Sequence, residues 1–253
     1  EAMTNRAAFQ YADSWGFRPL RDQLAAMMAA DGIETSGEHL IITQGAQQGI
    51  DLTARLMLNP GDGLVVEAPT YLGALAAFNQ YEPTYYEVRM QADGMDLVAL
   101  KKILMTHRVK MIYTVPDFQN PTGAVMSLEK RRALVRLANQ FDVLILEDGP
   151  YRFLRYEGPT LPPVKAFDTE GRVVFLGSMS KILSPSLRLG WLIADPEIMA
   201  GIEALKGAAD VESSALIQRA VSQYLSRVDF PAHLAQLCKT YRQKRDVMLD
   251  ALH

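Results

Sequence analysis

One cysteine, Cys238, occurs in the 253 residues. A disulfide within the chain is therefore excluded, and a reducing, cytoplasmic setting is expected. Histidine is nearly as scarce. His39, His107, His233 and His253 are scattered without metal-ligand spacing, so no metal centre is expected. Charge of neither sign dominates: 26 basic and 29 acidic residues are interspersed and leave a formal net charge of −3. A basic stripe for nucleic acid and a polybasic patch for a membrane surface are both missing. No apolar run reaches membrane-spanning length, because "VVFLGSMSKILSPSLRLGWLIA" is interrupted by serine, lysine, proline and arginine. There is no low-complexity tract, internal repeat or visible signal peptide. The opening "EAMTNRAAFQ" does not look like a natural start.

With 49% hydrophobic and 22% charged residues, the chain has an ordinary globular composition with ample core. Short apolar runs alternate with amphipathic stretches. Seven runs read as strands: 39–43, 63–69, 84–88, 110–115, 142–148, 172–177 and 189–194. Several are nearly all apolar, which suits strands buried on both faces. Between them, 127–141 is helical, with Ser127 as cap and Leu134, Leu137, Ala138 and Phe141 on one face. A second helix starts at Ala46 and is stopped by Asn59-Pro60-Gly61. This alternation predicts an α/β fold, a three-layer, mostly parallel seven-stranded sheet with helices on both faces. After Asp195 the pattern is helical only. Residues 1–230 are expected to form one large domain, and 231–253 a helix leading to a small C-terminal domain that is largely absent.

In parallel sheets, ligands sit beyond the carboxyl ends of the strands. Polar residues cluster at those predicted ends: Gln44-Gly45-Ala46-Gln47, Thr70-Tyr71, "DFQNPTG" with Asn120, Asp148 with Tyr151, and Ser178-Met179-Ser180-Lys181 with Arg188. Taken singly, each has a bland reading. Gly45 suits a tight turn, Asp148 a helix cap, "NPTG" a turn, the tyrosines packing, and Arg188 a partner for a carboxylate. Lys181 lacks an acidic neighbour and is flanked by apolar strands; a buried lysine without a partner is costly unless it has a chemical role. Taken together, the set can hold an aromatic phosphorylated aldehyde. A lysine can form an imine with it, and a carboxylate can keep a pyridine nitrogen protonated. Asn120 and Tyr151 can donate to a ring oxyanion, and Tyr71 offers an aromatic face. Arg188, Ser178 and a helix N-terminus suit a phosphate.

Six segments, "YADSWGFRPLRDQLA", "ITQGAQQGIDL", "EAPTYLGAL", "FQNPTG", "LEDGPYRFLRY" and "GSMSKILSPSLRLGW", together resemble the fold-type I pyridoxal-phosphate aminotransferases of class I/II. The resemblance lies with the branch of 2-aminoadipate and kynurenine aminotransferases and the aminotransferase-like domains of MocR-type regulators. It implies pyridoxal 5'-phosphate as cofactor, held as an aldimine on Lys181, which then shuttles a proton. It implies Asp148 at the ring nitrogen, Asn120 and Tyr151 at the phenolic oxygen, and Tyr71 stacked on the ring. Gly45, Ala46, Gln47, Ser178, Ser180 and Arg188 would receive the phosphate. Tyr11 would reach the phosphate of the partner subunit, so a homodimer with shared sites is implied. The expected reaction moves an amino group from an α-amino acid to a 2-oxo acid, 2-oxoglutarate being the expected acceptor. A MocR-type effector domain and a β-lyase or decarboxylase on the same cofactor stand as alternatives. Trp15 is read as packing at a dimer surface rather than as a pocket residue. The arginine that grips the substrate carboxylate in this family lies outside these residues.

Overall fold

The computed structural model describes residues 9–252; His253 and the stretch 1–8 lie outside the described residues. All seven expected strands are present: β1 (Ile41–Thr43), β2 (Gly63–Ala68), β3 (Thr84–Gln91), β5 (Val109–Thr114), β6 (Leu144–Asp148), β7 (Val173–Ser178) and β8 (Gly190–Ile193). An eighth, β4 (Gly94–Met95), corrects the expected count. It is a two-residue return against the end of β3, too short to leave a periodic signal, and its turn places Gly94 at φ 109°. The sheet order is β1-β8-β7-β6-β5-β2-β3-β4.

Only β8 and β4 pair antiparallel with their neighbours. The carboxyl ends of β1, β2, β5, β6 and β7 therefore share one rim, where β8 begins. The chain steps from β2 to β3 on one side, then returns and runs from β5 through β6 to β7 on the other. That reversal between β2 and β5 opens a crevice at the rim.

The apolar runs bury both faces as expected, except in β3, whose residues other than Val88 are exposed or half-buried because it lies near the sheet edge. One face carries Leu64, Val66, Met111, Tyr113, Leu146 and Leu176 against α2 (Ala46–Met57), α3 (Leu72–Phe78) and α6 (Pro196–Asp210). The other carries Val65, Ile112 and Ile145 against α4 (Leu97–Thr106) and α5 (Leu128–Phe141). Beyond them on this face lie Ile42, Phe175 and Trp191 against α1 (Arg18–Ala30) and α7 (Ala215–Arg227). The Ser127 hydroxyl accepts from Lys130 N–H, the cap read from sequence. The last helix, α8 (Phe230–Leu252), seats Phe230 and Leu234 in that core. Its later turns are mostly exposed, apart from ion pairs of Arg242 and Arg245 with Glu157. Trp15 packs against the core, with Arg21 over its ring at 5.9 Å. Cys238 is half-buried in α8, and burial pushes its thiol pKa up.

Candidate cofactor site

A cavity of about 260 Å³ opens at the rim crevice. Ten of the twelve site residues expected from sequence line it: Ala46, Gln47, Tyr71, Asn120, Asp148, Tyr151, Ser178, Ser180, Lys181 and Arg188. Gly45 stands immediately behind, in contact with Arg188. Tyr11 is apart from the cavity and 85% exposed, so the chain does not bring it to this site.

At the base of the cavity, β6 ends in Asp148, 3% exposed. Its Oδ2 accepts a 2.8 Å hydrogen bond from the Tyr113 hydroxyl, while Oδ1 is buried with no partner. Burial raises the Asp148 pKa from 3.8 to about 6, and the Tyr113 bond opposes the rise. Burial and the adjacent carboxylate drive the Tyr113 hydroxyl well above its usual range, so it stays a donor. An orphaned acceptor of this kind calls for an N–H from a ligand. Tyr113 escaped the sequence reading because its role depends on β5 lying beside β6 with the two side chains on one face.

Two further donors flank this carboxylate. Tyr151 follows β6, and Asn120 follows β5, its Nδ2 lying 3.5 Å from the Tyr151 hydroxyl oxygen. Burial raises the Tyr151 pKa, which keeps the phenol protonated and able to donate. The Tyr71 ring packs against the core beside them, its hydroxyl 3.4 Å from Gln47 Oε1.

At the other end, β1 passes through Gly45 into α2. Helices α4, α5, α6 and α7 begin on capping side chains, Asp96, Ser127, Asp195 and Ser214. Helix α2 begins on Gly45, at φ 78°, with no side-chain cap, which leaves first-turn amides available to an anion. A Cβ at Gly45 would stand 2.6 Å from Arg188 Nη2. The Arg188 guanidinium donates to the Gln44 and Pro185 carbonyls and is exposed toward the cavity. It makes no ion pair with any described residue, contrary to the bland reading. The Ser178 hydroxyl accepts from Ser180 N–H at 3.1 Å, so its proton is left for another acceptor.

Lys181 corrects one expectation. Rather than lying buried between strands, it is carried by the turn after β7 to the exposed mouth of the cavity. The apolar flanks are indeed buried, but the strand ends at Ser178 and the lysine stands beyond it. No described residue forms an ion pair with it.

The arrangement fits pyridoxal phosphate. The unpartnered Asp148 oxygen suits a pyridinium N–H, the Asn120–Tyr151 pair a ring oxyanion, and the uncapped α2 start with Arg188 and two serines a phosphate.

Comparison with known proteins supports the same placement. An aromatic-amino-acid aminotransferase of Thermococcus litoralis is 41% identical over 251 residues, spanning 97% of this chain and 60% of that protein. A 2-aminoadipate transaminase of Thermus thermophilus is 34% identical over 248 residues, spanning 97% of this chain and 61% of that protein. Among solved structures, kynurenine aminotransferase of Pyrococcus horikoshii, in complex with PMP, superposes with a TM-score of 0.94 at 41% identity. That match covers 99% of this chain and 64% of the other. The chain thus spans about three-fifths of the length of these relatives. The family model for aminotransferase class I and II matches residues 1–253, and with the rim cavity lined from five of the six segments, the chain belongs to that family.

Proposed function

We propose that this chain supplies the pyridoxal-phosphate site of an aminotransferase that moves an amino group from an α-amino acid to a 2-oxo acid. The single observation that carries the reading is the buried, unpartnered Oδ1 of Asp148 at the base of a cavity whose mouth holds Lys181. Transaminase relatives with aromatic and 2-aminoadipate donors in their names support a bulky or dicarboxylic donor, and 2-oxoglutarate is the acceptor proposed with it.

When bound, the cofactor supplies an electrophilic carbon and an electron-accepting ring. The residues do the rest. Asp148 holds a proton on the ring nitrogen and so keeps the ring electron-poor. Asn120 and Tyr151 would donate to the ring oxygen, and Tyr71 would offer its aromatic face to the ring and keep water from it. Gly45, Ala46, Gln47, Ser178, Ser180 and Arg188 hold the phosphate and set the ring's height in the cavity. Lys181 Nζ, at the open side, would take and return the proton of the substrate α-carbon. Tyr11, exposed here, reaches the phosphate in a partner subunit, making a homodimer the working form. Residues 1–230 form the cofactor-binding domain, and α8 leads from it to the part of the protein that completes substrate binding.

A second reading has its own support: the regulator YisV of Bacillus subtilis, described as HTH-type, is 30% identical over 242 residues, 96% of this chain and 50% of that protein. On that reading the same cavity senses an effector.

The purified protein with pyridoxal phosphate is expected to absorb visible light, and borohydride is expected to leave a pyridoxyl group on Lys181, located by peptide mass mapping. Colourless protein, or an adduct only on other lysines, ends the proposal. A panel of aromatic and dicarboxylic donors with 2-oxoglutarate then identifies the reaction. Coloured protein that turns over no donor, from a gene with a winged helix-turn-helix upstream, favours the regulator. Ammonia and pyruvate as products favour a β-lyase.

A further inference from the structure

Directly behind the cavity, on the opposite face of the sheet, lies a buried carboxylate that the cofactor reading does not use. Glu67 ends the row of β2 side chains that includes Val65, and it is 1% exposed. It accepts from the Thr114 hydroxyl at 2.5 Å, from Val115 N–H at 3.3 Å and from Gln119 Nε2 at 3.0 Å. No described cation pairs with it. Such burial is unfavourable for a side chain whose only task is to fill space.

Gln119 is the other half of the device. Its Nε2 also donates to the Pro69 carbonyl at 2.8 Å, two residues before Tyr71. Its Oε1 accepts from Thr122 N–H at 3.0 Å and from the Thr122 hydroxyl at 2.6 Å. Its backbone N–H bonds Ala124 O at 2.9 Å. Gln119 therefore closes the Asn120-Pro121-Thr122-Gly123 turn upon itself and ties it to the β2–α3 turn. Both ties run through groups on or beside Glu67. Tyr71 and Asn120, which reach the cavity from different strands, are coupled through one amide held by one carboxylate.

We propose that Glu67, acting through Gln119, is a positioning residue that fixes Asn120 and Tyr71 relative to each other against the cofactor ring. The inference rests on the cofactor reading above. Donors held against the ring oxygen draw charge from it and so help set the pH at which the visible absorption band changes. Loss of the tie then raises the pH at which the visible absorption band changes. The groups facing Glu67 are Thr114, Val115 N–H and Gln119. Burial holds its pKa up at about 7 against the hydrogen bonds it accepts, with a lesser contribution from Asp148 across the sheet.

The test is a spectral pH titration of the cofactor-loaded protein, alongside thermal melting and cofactor affinity. Glu67→Gln keeps the shape but leaves one acceptor oxygen for the donors of Thr114, Val115 and Gln119. Gln119→Ala removes the bridge and serves if the first variant does not fold. Each is expected to raise the spectral midpoint by about 0.5 pH unit or more and to weaken cofactor binding several-fold. Val65→Ala, a neighbour on the same buried face, is expected to lower the melting temperature without moving the midpoint. Unmoved midpoints in coloured Glu67→Gln and Gln119→Ala proteins, whatever their melting temperatures, overturn the proposal and leave a structural role only. A colourless wild type is a different result and counts against the cofactor reading itself.

Discussion

At the scale of single residues, Asp148 carries the most information. Its folded pKa of about 6 lies above the ordinary 3.8, because burial without a cation penalises the charged form. The folded state thus holds this proton more tightly than the unfolded chain. The resulting stabilisation is complete below pH 3.8 and is lost as pH rises to about 6. Asp148→Asn is neutral throughout and lacks that loss, and Glu67, whose pKa the Asp148 charge helps to raise, adds a smaller change of the same sign. The stability of cofactor-free Asp148→Asn relative to wild type is therefore expected to improve by on the order of 2–3 kcal/mol between pH 4 and pH 7. Denaturant unfolding at several pH values reads this directly, and a pH-independent difference would remove the claim. With the cofactor bound, the same variant is expected to be the weaker protein, because the ionised carboxylate then has its partner. Stability withheld at a site and returned by the ligand is a common trade.

At the scale of elements, the phosphate end depends on how closely two backbones approach. Gly190 opens β8, and a Cβ there would stand 2.6 Å from Gly45 C and 2.8 Å from Ala46 N. Neither neighbour can yield like a flexible side chain, since both belong to the turn that launches α2. Gly190→Ala is expected to displace that turn, lower cofactor affinity at least tenfold and cost roughly 1–3 kcal/mol of stability. Calorimetric titration with pyridoxal phosphate and a melting curve check both parts. Affinity at the wild-type level would show that the turn does not hold the phosphate. The strands and the starts of α2 and α5 were legible from pattern alone, because an apolar run ending in a Gly, Asn or Asp turn leaves few alternatives. β4 was not, since two residues carry no period. The exposure of Lys181 was not either, because the strand's last buried residue lies three positions earlier and nothing in the apolar pattern marks where the chain leaves the sheet.

At the scale of the whole molecule, Tyr11 and Phe9 are exposed near the start of the described chain, and Leu72 is exposed beside Tyr71. Large exposed apolar groups of this kind suit a subunit contact. A homodimer with shared sites makes a specific prediction. Tyr11→Ala alone is expected to weaken cofactor binding while leaving the visible band's position unchanged. Mixed with Lys181→Ala subunits, it is expected to give heterodimers with one site that lacks both defects. Sedimentation that shows a monomer under conditions of full cofactor binding would exclude this arrangement.

The sequence by itself determined the fold class, the order of the strands along the chain and the identities of the residues at their carboxyl ends, because these follow from periodicity and turn chemistry, which are local. Tertiary structure alone decided that β5 lies between β2 and β6. That adjacency puts Tyr113 against Asp148 and Glu67 beneath Gln119. Both are contacts between residues dozens of positions apart, and strand order in space is set by which faces can be buried together rather than by any local preference.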